Sequence, residues 1–341
     1  MLPVLITIDT EYSLALYRQG PGSERTFNFD RAIACRGKWG ESGIFYQMDK
    51  LDRHGLKGVF FVDPMPALVW GRRAVDEVVQ PILARGHGVQ LHLHPEWLEF
   101  ADRKAAPVGG QGRNMADFPL ADQRALLEYG AERLVEAGAD RPIAFRAGNY
   151  GANDDTLRAL TSLGLLYDTS FPPGIASSPC AISLPPGQLS PVRHHGVTEL
   201  PIGAIAARGG ALRHAQITAL SRREMQRAIS HAAACHWPAF VLVSHSFELF
   251  DRARGMPNWL VRRRFDKLCE WLGQSDVAET ATFAALRDRA TELGERAGQA
   301  LPVLPYSPVS TARRMAEQYV VNKLHGWNRD SAMILYLSAV V

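Results

Sequence analysis

The strongest constraint on the fold is a repeated alternation of short apolar runs with helix-length amphipathic segments. Seven runs rich in Val, Ile, Leu and Phe read as buried strands, at residues 2–9, 57–63, 88–94, 142–148, 165–169, 198–203 and 239–245. Most are separated by segments with apolar residues at helical spacing, at 45–54, 74–85, 121–137, 154–163, 223–236 and 259–272. Gly55, Gly86, Gly138 and Gly164 follow four of these segments and suit the left-handed residue that ends a helix. Parallel neighbours need a crossover of helix length, so the alternation predicts a parallel sheet with helices outside it, either open or closed as a barrel. Seven strands point to an incomplete barrel.

Three stretches interrupt the rhythm, at 13–42, 105–117 and 171–197, all rich in Gly, Pro, Ser and Arg. Connections this long inside a compact domain are candidate substrate loops. After about Gln299 the alternation stops. A Pro-rich link from Pro302 to Pro308 then leads to an expected helix over Thr311–Leu324. The expected organisation is therefore a catalytic domain over 1–299 and a partly helical tail over 300–341.

With 46% hydrophobic and 21% charged residues, the 341-residue chain is too apolar for a disordered protein and can bury a sizeable core. The 38 basic and 35 acidic residues leave a formal charge of only +3, which argues against nucleic acid as a partner. Cys35, Cys180, Cys235 and Cys269 form no C-x-x-C pair, so a zinc knuckle or redox motif is disfavoured. No apolar run approaches the ~20 residues of a membrane span, and the run Ala332–Val341 stops at half that length. The chain opens on a strand-like run with no secretory leader pattern, which gives a cytoplasmic expectation. Oligomeric state is left open.

Barrel enzymes place their chemistry at the carboxyl ends of strands, and here ionisable residues gather at those ends. The first strand ends Ile8-Asp9-Thr10-Glu11, with two carboxylates at the spacing that shares a face in extended chain. The third ends Leu91-His92-Leu93-His94-Pro95, so two imidazoles share one face. Two imidazoles and a carboxylate suit zinc or a similar divalent ion. The fourth ends Phe145-Arg146-Ala147-Gly148-Asn149-Tyr150-Gly151, and a guanidinium there needs a carboxylate partner or an anionic ligand, with Asp9 as the expected partner. The fifth and seventh end in Tyr167-Asp168-Thr169-Ser170 and Val243-Ser244-His245-Ser246. An aspartate and a histidine so placed can form an oriented acid pair.

In this order the segments Thr7–Glu11, Gly86–Pro95, Phe145–Gly151, Asp168–Ser170 and Leu242–His245 resemble the five motifs of the polysaccharide deacetylase (NodB-homology, carbohydrate esterase) family. The resemblance spans roughly Leu2 to Phe250 and implies an α/β fold, a distorted (β/α)7 barrel with long inserted loops. It implies Asp9 as catalytic base, tethered by Arg146, and Glu11, His92 and His94 as metal ligands. His245 becomes the general acid, oriented and charged by Asp168, and the Asn149 backbone amide a donor to the oxyanion. The histidine spacing differs from the common motif, which leaves open whether His94 or Glu96 completes the metal site. Thr169 stands where the family usually has a tryptophan.

The function so implied is metal-dependent hydrolysis of a carbon–nitrogen amide bond, removing an N-acetyl or N-formyl group from a sugar or sugar precursor. Zinc is the expected ion, with cobalt and nickel as alternatives. The expected substrate is a small or lipid-linked N-acylated sugar. Two other readings are a metal-independent hydrolase of cyclic amides, like allantoinase, and a non-catalytic barrel that binds a glycan or a partner.

Overall fold

The computed structural model describes residues 1–102, 104–295 and 300–324. The seven expected strands form β1 (Leu2–Thr10), β2 (Val59–Val62), β3 (Gly88–Leu93), β4 (Ala144–Ala147), β5 (Tyr167–Asp168), β6 (Val197–Glu199) and β7 (Phe240–His245). They lie in the order β7-β1-β2-β3-β4-β5-β6, all parallel. The expected helices follow as α1 (Ile44–Arg53), α2 (Arg73–Ala84), α3 (Leu120–Glu136), α4 (Asp154–Ser162), α5 (Arg222–Ala234) and α6 (Trp259–Leu272).

Between β6 and β7 the ring is closed by irregular chain: Gly203 N donates to Val241 O at 3.0 Å, and Ile217 N to Val243 O at 3.0 Å. This gap bridged by loop backbone is what makes the (β/α)7 barrel distorted. Sequence periodicity did not mark two further strands that join the same sheet among the described residues. Ala278–Thr280 pairs with the start of β1, and Val192–His194 forms a hairpin with β6.

Alternation along the strands sorts side chains into two apolar layers. Leu5, Val59, Phe61, Ala144, Tyr167, Val241 and Val243 face inward, and Phe283, Leu286 and Leu293 close one end of the barrel against them. Tyr167 Oη donates to Leu286 O at 2.6 Å, so its buried hydroxyl is satisfied. On the other face of the same strands, Val4, Ile6, Ile8, Phe60, Val62, Leu91, Leu93 and Phe145 pack under the helices. Residues 9, 92, 146 and 245 therefore continue the inward rows beyond the apolar core, where the barrel opens.

The helix expected over Thr311–Leu324 begins three residues earlier, as α7 (Pro308–Leu324). Arg314 pairs with Glu224 of α5 at 3.2 Å, and Trp237 Nε1 donates to Pro302 O at 3.0 Å. The apolar run 332–341 lies outside the described residues. None of the described helices is long and apolar enough to cross a membrane.

Candidate active site

Parallel register places Asp9 beside His245 on one side and beside Phe61 on the other. Register likewise sets His92 beside Arg146. Paired residues in parallel strands share a face, so the carboxylate, both imidazoles and the guanidinium converge. Arg146 is fully buried and donates from Nη1 to Asp9 Oδ1 at 2.6 Å and from Nη2 to Thr7 Oγ1 at 2.9 Å. Its guanidinium lies over the Phe61 ring, 4.5 Å from the centroid. The partnership of Arg146 with Asp9 is thus present, and it leaves Asp9 Oδ2 facing His245 Nε2 at 3.8 Å, beyond hydrogen-bond reach.

Glu11, His92 and His94 bring one ligand atom each to within 4.8 Å of one another. Glu11 Oε2 touches His94 Nε2 and lies 3.4 Å from His92 Nε2. His92 Nδ1 is 2.7 Å from Arg146 O, and a carbonyl can only accept, so Nδ1 carries a hydrogen and Nε2 is the ring atom turned towards Glu11. His94 is oriented in the same way by Glu96, whose Oε2 lies 2.9 Å from Nδ1. Glu96 thus stands behind His94, outside the convergent set.

Burial alone would raise the Glu11 carboxyl, but the charges and hydrogen bonds of His94 and His92 outweigh it and hold it well below the usual range. Burial would lower His94, and Glu11 and Glu96 instead raise it well above an ordinary imidazole. The negative potential that favours an imidazolium here equally favours a metal cation, and two oriented Nε2 atoms with one carboxylate oxygen are a donor set suited to zinc. Gly148 makes room for this arrangement, since a Cβ there would come within 2.7 Å of the His94 ring.

One expected contact is replaced. Asp168 was expected to orient His245, but the His245 Nδ1–H donates to Glu248 Oε1 at 3.1 Å. The reason is strand parity: Asp168 pairs in register with Phe145, which faces the helices, so it lies on the opposite face from Arg146. There it accepts from Ser170 Oγ at 2.8 Å and sits beside Glu199. Burial raises both of these acids, Glu199 well above its usual range because Asp168 adds like charge.

Glu248 is a residue of the candidate site that strand-end reasoning missed. It lies three residues after His245, and Gln216 Nε2 donates to its Oε1. Burial would push the His245 imidazole down, but Glu248 first, then Asp9 and Glu11, raise it to about 9. Asp63, at the end of β2, was also missed although it obeys the strand-end rule. Its Oδ1 accepts from Met65 N at 3.0 Å and His94 N at 3.4 Å. Burial raises its carboxyl to about 6, partly offset by His94 and His92.

Asn149 and Tyr150 both adopt left-handed backbone, with φ of 55° and 58°. Such conformations are costly for non-glycine residues and concentrate at functional sites.

The barrel fold that carries these groups is similar to that of solved structures. A protein assigned as a polysaccharide deacetylase from Mycobacterium smegmatis superposes with a TM-score of 0.51 at 17% identity, over 89% of this chain and 94% of that one. A family 4 carbohydrate esterase from Streptomyces lividans is similar with a TM-score of 0.44 at 11% identity, over 89% and 98%. No family model and no curated protein matches the sequence. The chain has the polysaccharide deacetylase fold.

Proposed function

We propose that this protein is a metal-dependent hydrolase that removes an acetyl or formyl group from the amide nitrogen of a sugar or sugar precursor. The observation that carries this reading is the side-by-side placement of Asp9 and His245, one tethered to Arg146 and the other to Glu248, next to two histidines and a carboxylate. Base and acid are thereby available at one reacting centre. Residues 1–299 are assigned as the catalytic unit and 300–341 as an appended tail.

Glu11, His92 and His94 would hold the divalent ion, with zinc expected and cobalt or nickel as alternatives. When bound, such an ion acidifies water and polarises a carbonyl. Arg146 occupies Asp9 Oδ1 and so turns Oδ2 to the reacting centre as the acceptor of the proton that water loses. His245, kept protonated through neutrality chiefly by Glu248, gives its Nε2 proton to the departing nitrogen. The products are a carboxylate and an amine. The Asn149 backbone amide, held in its left-handed turn, is the proposed donor to the oxyanion.

Release of acetate or formate from N-acetylated and N-formylated amino sugars, with added zinc, cobalt or nickel, tests the reading. Asp9→Asn is expected to abolish turnover while retaining the metal, and His92→Ala to lose the metal. Full activity in a chelated, metal-free preparation would overturn the mechanism.

A further inference from the structure

Outside the barrel mouth, Asp154, His194 and His195 form a second group whose ligand atoms lie within 4.8 Å of one another. Asp154 is the first residue of α4, and His194 ends the short strand Val192–His194, opposite Val197 of β6. His195 and Gly196 make the two-residue turn between them, both left-handed with φ of 46° and 91°. Such turns favour Asn-Gly or Gly-Gly, so a histidine there takes on a conformation its side chain disfavours.

Successive residues of a strand send their side chains to opposite faces. The reversal at His195 brings its ring back to the side of His194, and the two rings lie 4.2 Å apart. Both then present Nε2 to one carboxylate, His194 at 3.4 Å from Oδ1 and His195 at 3.0 Å from Oδ2. Two donors bound at ~2.0–2.1 Å to one tetrahedral ion lie roughly 3.3 Å apart, which matches these spacings.

Ser183 completes the group. Its N–H donates to Asp154 Oδ1 at 2.9 Å and its hydroxyl to Oδ2 at 2.6 Å, with Oγ also 3.1 Å from His194 Nε2. One cation opposes an ion here: Arg158 Nη2 is 3.4 Å from His195 Nε2, although it is half exposed and its Nη1 pairs with Asp155 at 2.6 Å. The three ligand side chains are each about a quarter exposed, so an ion from solution can enter without unfolding.

We propose that Asp154, His194 and His195 bind a divalent transition-metal ion, zinc by the chemistry of two imidazoles and a carboxylate, with Ser183 Oγ or water as the remaining ligand. The ion pins the 171–197 connection to the start of α4, and it shares no ligand with the barrel mouth.

The test is zinc titration of the chelator-stripped full chain by calorimetry, with metal content measured after gel filtration. The unaltered chain is expected to bind two equivalents, His92→Ala/His94→Ala one, and His194→Ala/His195→Ala one. Zinc should raise the melting temperature of the His92→Ala/His94→Ala protein, and cobalt should give it a tetrahedral d–d spectrum. Failure of that protein to bind any stoichiometric ion would overturn the proposal, as would two equivalents in the His194→Ala/His195→Ala protein. If the latter does not fold, Asp154→Asn in the His92→Ala/His94→Ala background decides, because it should abolish the remaining equivalent. A single equivalent that survives loss of His92 and His94 but not of His194 and His195 supports this site and counts against the mouth as a metal site.

Discussion

Replacing Glu248 by glutamine isolates what keeps His245 charged. The carboxamide oxygen can still accept from Gln216 and from His245 Nδ1, so the hydrogen bonds survive while the charge is removed. Raising an imidazole from 6.5 to about 9 corresponds to roughly 3 kcal/mol of preference for the protonated ring, acting against burial. Glu248 is the largest of the raising influences, ahead of Asp9 and Glu11. With 23% of the His245 side chain exposed, solvent screens part of that coupling, and we assign Glu248 about one to two pH units. If His245 is the general acid, the basic limb of the kcat profile moves down by that amount. At pH 8 this is roughly a two- to ten-fold loss, with little change near pH 6. Stability follows the same sign: an imidazole raised on folding stabilises fully below about 6.5, and that contribution fades as pH rises towards about 9. Melting of the unaltered protein should weaken across that window more than that of Glu248→Gln. The assay is amide hydrolysis followed from pH 5 to 10, with Asp168→Asn as the comparison. An unmoved basic limb in Glu248→Gln, or an equal shift in Asp168→Asn, would refute the assignment.

Arg146→Met leaves the buried Asp9 carboxylate without its cation and should cost about 3–5 kcal/mol in chemical denaturation, part of it recovered in Asp9→Asn/Arg146→Met. Glu199→Gln tests the buried acid pair. Acids raised on folding lose stability as pH climbs above their unfolded values, so the variant should melt at a higher temperature than the parent at pH 8. The gain should vanish near pH 4, and equal melting curves at both pH values would count against the shared burial of Asp168 and Glu199.

Local pattern carried much of this protein. Alternation of apolar runs and amphipathic segments was enough for seven parallel strands and six of the helices that cover them, because burial on both faces demands apolar strands and helical crossovers. Two-residue spacing put His92 and His94 on one face, and an arginine on a buried strand called for a carboxylate or an anionic ligand, the carboxylate being Asp9. Tertiary structure decided what spacing could not. Asp168 ends a strand as expected, but the register of β5 against β4 turns it from the barrel mouth towards Glu199. The turn after β7 folds Glu248 back onto His245 instead. The closure between β6 and β7 and the pairing of Ala278–Thr280 with β1 also escaped the sequence, since they rest on backbone hydrogen bonds between distant segments. Residue type and periodicity determine which face a side chain can occupy within its own strand. Only the register between strands and the path of the loops determine which charges meet, and those meetings set the proton affinities on which the proposed chemistry depends.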